Sequence, residues 1–110
     1  KTLLAADFSK SKDHELGELL KNADMRVRMK AQFELAKRGA NGHTVFQKLV
    51  GQRDNQLARV NAIWGISQLA RQDKNFAKSL LPLLQDNDPE IRAQAAKWLG
   101  DINYKEAGDK

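Results

Sequence analysis

Cysteine is absent from this 110-residue chain, which excludes a disulfide framework, a zinc knuckle, covalently attached haem and a thiol nucleophile. Proline occurs twice and glycine seven times, too rarely for a collagen-like or low-complexity chain. Long apolar runs are missing as well. The longest are a few residues, such as Leu80-Leu81-Pro82-Leu83-Leu84, far short of the roughly 20 that a bilayer-spanning helix needs. No signal peptide is visible and the chain opens with Lys1, which is the pattern expected of a processed or excised piece of a larger protein.

What is present is globular in composition, with 41% hydrophobic and 30% charged residues, and the length suits one domain. The formal net charge of +5 would attract phosphates or acidic partners only weakly. Ordinary solvated helix surface accounts for it.

The strongest signal is internal repetition. Segments 25–35, 56–66 and 90–99 superimpose so that Arg28, Arg59 and Arg92 coincide. So do Ala31, Ala62 and Ala95, and then Leu35, Ile66 and Leu99. The offsets are 31 and 33 residues, the length of a two-helix unit. Four residues before each arginine stands Asp24, Asn55 or Asp88, each a good N-cap because its side-chain oxygen accepts an orphan backbone N–H bond. Pro89 and Glu90 follow the last cap, as suits a first helical turn.

A shorter apolar helix precedes each segment, marked by Leu16, Leu19 and Leu20, then by Val45, Phe46 and Leu49, then by Leu80, Leu81, Leu83 and Leu84. These spacings predict helix pairs over 13–21 with 25–38, 43–50 with 56–70 and 75–85 with 89–103. Gly39-Ala40-Asn41-Gly42 reads as the break after the first pair, and Pro82 should bend the helix that contains it. The organisation expected is a partial cap at 1–12, three repeats at 13–39, 43–70 and 75–103, and a tail at 104–110. The helix 56–70 is apolar nearly all round, as a central element covered on several sides should be. The fold class expected is an all-α, right-handed α-α superhelix of about three hairpins.

Asp86-Asn87-Asp88-Pro89-Glu90-Ile91-Arg92 with Ala95 and Leu99, and Asn22-Ala23-Asp24-Met25-Arg26-Val27-Arg28 with Ala31, resemble the second helices of HEAT repeats with their preceding turns. The resemblance covers about 90 of the 110 residues. It implies a scaffold for protein–protein or interdomain contacts, without a cofactor or catalytic group in this chain. More narrowly, Leu19-Leu20, Val27-Arg28, Ala31-Gln32, Arg38-Gly39 and Ala58-Arg59-Val60-Asn61-Ala62-Ile63-Trp64 resemble the HEAT segment of large bacterial membrane-bound or sorbosone-type dehydrogenases. Those carry a β-propeller before the repeats and a cytochrome c domain after them. This implies an extracytoplasmic, dehydrogenase-like parent whose chemistry lies outside these residues. Relatives often place histidine where Asn61 stands, so no ligand role carries over.

The arginine row is the most regular polar feature. The resemblance implies a structural ladder in which Asp24 pairs with Arg28 and Asp88 with Arg92, while Asn55 leaves Arg59 without a local carboxylate. Arg59 is therefore a candidate for contacting a partner. Trp64 and Phe33 share a repeat position, and with Met29 and Val60 read chiefly as core between repeats. The competing reading is a shallow apolar surface for a partner, with Trp98 as a further candidate. His14 and His43 have no second ligand at metal spacing. No Ser-His-Asp arrangement, phosphate loop or HExxH helix occurs. Lys21, Arg26, Arg28, Lys30, Lys37 and Arg38 are dispersed around their helix, which disfavours the alternative of a nucleic-acid- or phosphate-binding module.

Overall fold

The computed structural model describes residues 8–102. The expected tail at 104–110, and Leu3 and Leu4 of the expected cap, lie outside that range. A 3-10 turn, Phe8–Lys10, leads into α1 (Asp13–Leu19), α2 (Met25–Lys37), α3 (Ala40–Val50) and α4 (Gln56–Ala70). A 3-10 segment, Lys74–Gln85, and α5 (Pro89–Asp101) follow. No strand occurs among the described residues. The architecture is an all-helical, HEAT-like helical repeat.

Local chemistry sets the second helices. Asp24 accepts from Arg26 N at 2.9 Å, Asn55 from Ala58 N at 3.0 Å and Asp88 from Glu90 N at 2.9 Å. Each cap thus satisfies a donor that has no partner inside its own helix. Ala31, Ala62 and Ala95 are buried, as are Leu35, Ile66 and Leu99. They join one core cluster that runs from Phe8 to Leu99. The central helix α4 packs against α2, α3, the 3-10 segment and α5, which is why ten of its residues are buried.

Two local expectations are overturned. Gly42 lies inside α3, not in a loop; only Gly39 breaks the chain, with φ of 62°. Gly42 is small because α3 crosses α2 there, and a Cβ would overlap the Leu35 carbonyl oxygen. The segment around Pro82 is 3-10 along its whole length rather than a bent α-helix. Twelve residues is long for this geometry, in which side chains three apart share a face. Ala77, Leu80, Leu83 and Asp86 are the buried ones, a period of three. Pro82 has no N–H to donate in either geometry, but an α-helical path would crowd its ring against the preceding turn.

Candidate functional site

The arginine row builds a polar seam between hairpins. A helical side chain leans toward the turn preceding its own Cα, so each arginine reaches back over its hairpin loop. Arg28 Nη1 donates to the carbonyls of Asn22 at 2.8 Å and Ala23 at 3.0 Å. Arg59 Nε donates to Val50 O at 2.7 Å, and Arg92 Nη1 to Asp86 O at 2.7 Å.

What remains of each guanidinium differs. Arg59 Nη2 and Nη1 grip Asp86 Oδ1 at 2.7 Å and Oδ2 at 3.2 Å. Asp86 Oδ2 also accepts from Asp88 N at 2.9 Å. The Arg59 hydrogen bonds first, and then that backbone N–H, hold the Asp86 carboxyl down to about 2. Arg28 Nε instead meets a neutral acceptor, Asn61 Oδ1, at 2.9 Å. Asn61 Nδ2 donates to Gln32 Oε1 and Gln32 Nε2 to Gln68 Oε1, both at 2.8 Å.

These partners correct the expected ladder. Asp24 binds Arg26, with Nη2 at 3.1 Å, rather than Arg28. Asp88 accepts from Gln56 Nε2 at 2.9 Å rather than pairing with Arg92. Arg59 is not an open cation: it is 3% exposed, and its carboxylate comes from the next hairpin. Asp86 was hidden as a loop residue. Its signal is the matching pattern Asn22-x-Asp24 and Asp86-x-Asp88, where the first member accepts from the N–H of the second.

The aromatic positions are also rearranged. Phe33 and Trp64 meet edge to face at 6.0 Å, and Trp64 and Trp98 lie nearly parallel at 6.0 Å. Phe33 and Trp64 stand outside the buried core cluster, while Trp98 packs against it half-buried. Phe33 is 39% exposed, and Met25 at 57% and Leu57 at 49% are the other large exposed hydrophobics among the described residues. All three project from second helices. Met25, Arg28, Gln56, Leu57, Val60, Asn61, Trp64 and Glu90 line a groove of about 350 Å³ there. The ring row forms because α4 packs against both α2 and α5, which brings Phe33, Trp64 and Trp98 together.

The dispersed cations of the first repeat are mostly committed within the chain. Lys21 pairs with Glu18 at 3.4 Å, and Arg38 with Asp13 at 2.7 Å and Glu34 at 3.3 Å. Lys30 Nζ sits 4.7 Å above the Phe8 ring. His43 joins α3 to the 3-10 segment through Ser79 Oγ at 2.7 Å and the Phe76 ring at 4.7 Å. His14 is exposed on α1. No group of three or more potential metal-ligating side chains occurs among the described residues, and no described helix is long and apolar enough to cross a membrane.

Paired helices joined by an arginine seam, with matched alanines buried on each second helix, define an all-helical protein of the helical-repeat class. The chain belongs to the HEAT repeats family, whose model matches residues 44–110. Members of that family commonly serve as protein-interaction scaffolds and are typically non-catalytic. No curated protein and no solved structure matches the chain.

Proposed function

We propose that this protein is a non-catalytic docking scaffold whose second-helix face, on α2, α4 and α5, receives an apolar segment of a protein partner. The observation that carries the reading is a groove lined by the exposed Met25 and Leu57 together with Trp64, whose ring also meets Trp98 and the exposed Phe33. Exposed apolar side chains grouped around aromatic rings mark interaction sites, and Trp is enriched among binding hot spots. Of the candidate partner contacts, we assign Trp64 and Trp98 to this surface, whereas Arg59 is buried in its ion pair with Asp86.

Peptide-display selection against the folded chain tests the proposal. Selected peptides are expected to shift amide resonances of α2, α4 and α5 and to lose binding to the Leu57→Lys variant. Peptides that map to α1 and α3, or that ignore the substitution, would reject it.

We place the scaffold within a larger dehydrogenase-like protein on the strength of the motif resemblance alone. Coding sequence for a β-propeller upstream and a Cys-x-x-Cys-His motif downstream would support this, and stop codons at both ends would refute it. The phosphate-binding alternative has less support, because Arg26, Arg28, Arg38 and Lys21 already have partners within the chain.

A further inference from the structure

Arg28 is a charged side chain that is 6% exposed and forms no ion pair among the described residues. Its Nε and Nη1 meet only neutral oxygens, those of Asn61, Asn22 and Ala23. Nη2 has no hydrogen-bond acceptor among the described residues. No fully enclosed side-chain nitrogen or oxygen lacks a partner, so Nη2 is reachable by solvent, and Arg28 lines the apolar groove of Met25, Leu57, Val60 and Trp64. Asp24 acts on Arg28 only through space while it bonds Arg26, and a guanidinium withdrawn from water without a hydrogen-bonded counter-charge is unfavourable. The same position one repeat later shows what satisfies it: Arg59 takes the side-chain carboxylate of Asp86 in two-pronged fashion.

We infer that the groove binds an aspartate or glutamate side chain of the partner protein, seated against Arg28, with an adjoining apolar residue packed on Leu57 and Trp64. The inference rests on the docking reading above and narrows it to an acidic–apolar segment. An internal acidic side chain is the occupant because that is the group which the equivalent arginine receives. Charge-assisted bonds to a partly dry guanidinium are stronger than neutral ones, so the carboxylate supplies selectivity while the apolar neighbours supply contact area. Glu90 lines the same groove, with its Oε2 accepting from Gln94 Nε2 at 2.7 Å. Its charge opposes the ligand and limits affinity.

The test titrates the intact ¹⁵N-labelled chain with an N-acetylated, C-amidated peptide of one aspartate flanked by leucines. Two controls accompany it: the asparagine version, and an all-leucine peptide with a free C-terminal carboxylate. The aspartate peptide should move the Arg28 Nε and Trp64 indole resonances saturably and bind at least about tenfold tighter than the asparagine peptide. Asn61→Asp places a carboxylate on Arg28 from within, so it should erase that preference while a single cooperative melting transition shows the stack intact. Glu90→Gln should tighten aspartate binding. Equal binding of aspartate and asparagine peptides at the groove would overturn the carboxylate inference and leave the apolar docking surface standing. Preference for the free C-terminus would overturn the choice of occupant. Failure of both leucine-flanked peptides to reach the groove would also overturn it, with the docking surface then judged by the display selection alone.

Discussion

Arg59 of α4 and Asp86 of the loop before α5 form a buried two-pronged ion pair, with Nη2 to Oδ1 at 2.7 Å. The pair joins consecutive hairpins at a buried polar point. Removing one partner leaves the other charge stranded. Asp86→Ala should therefore cost about 3–5 kcal/mol, read as a lower midpoint in urea denaturation. The double change Arg59→Met with Asp86→Leu should cost clearly less than Asp86→Ala, because no charge is left unpaired.

The same carboxylate makes stability depend on acid. Its folded value lies near about 2, below the ordinary 3.8, so the unfolded chain binds the proton first. The contribution is complete above pH 4 and is lost as pH falls toward 2. It amounts to roughly 2 kcal/mol at one kcal-scale step of about 1.4 per pKa unit. Stability measured across that window should fall in the parent protein, and the Asp86→Asn variant should lack this part of the loss.

Near neutrality a second group acts in the same direction. Burial lowers the pKa of His43 from 6.5, so the unfolded chain again takes up the proton before the folded one. Stability should decline as pH falls below 6.5 and level off once the folded imidazole also protonates. In His43→Asn, which keeps a polar group near Ser79, the slope between neutral pH and about pH 5 should flatten. Urea midpoints at several pH values give the comparison.

Glycines inside helices should behave oppositely. At Gly42 a methyl group would overlap the Leu35 carbonyl, so Gly42→Ala should push α3 off α2 and lose about 2 kcal/mol or more. Gly100 sits near the end of α5 with nothing within 4 Å of an added Cβ. Gly100→Ala should raise stability by up to about 1 kcal/mol through helix propensity. Thermal melts of the two variants should move in opposite directions.

Much of the fold was legible because it rests on near neighbours in the chain. Helical spacing marked Ala31, Ala62 and Ala95 as inward, and the caps Asp24, Asn55 and Asp88 announce their helices by residue type. The site was less legible. Gly42 resembles any loop glycine until α2 is laid across it. The leucines of 80–84 fit an α-helical stripe as readily as the period of three that Pro82 enforces.

The sequence by itself determined the all-helical class, the repeated second helices and their capped beginnings, since propensity, periodicity and capping act within a few residues. Tertiary structure alone decided which carboxylate Arg59 grips, why Arg28 has none, and that Phe33, Trp64 and Leu57 share an open face. Those outcomes depend on the loop and helix that stacking brings beside each side chain, from 27 residues away for Arg59 and Asp86 and 33 for Arg28 and Asn61. At such separations the geometry of packed helices chooses the partner, and no local pattern encodes it.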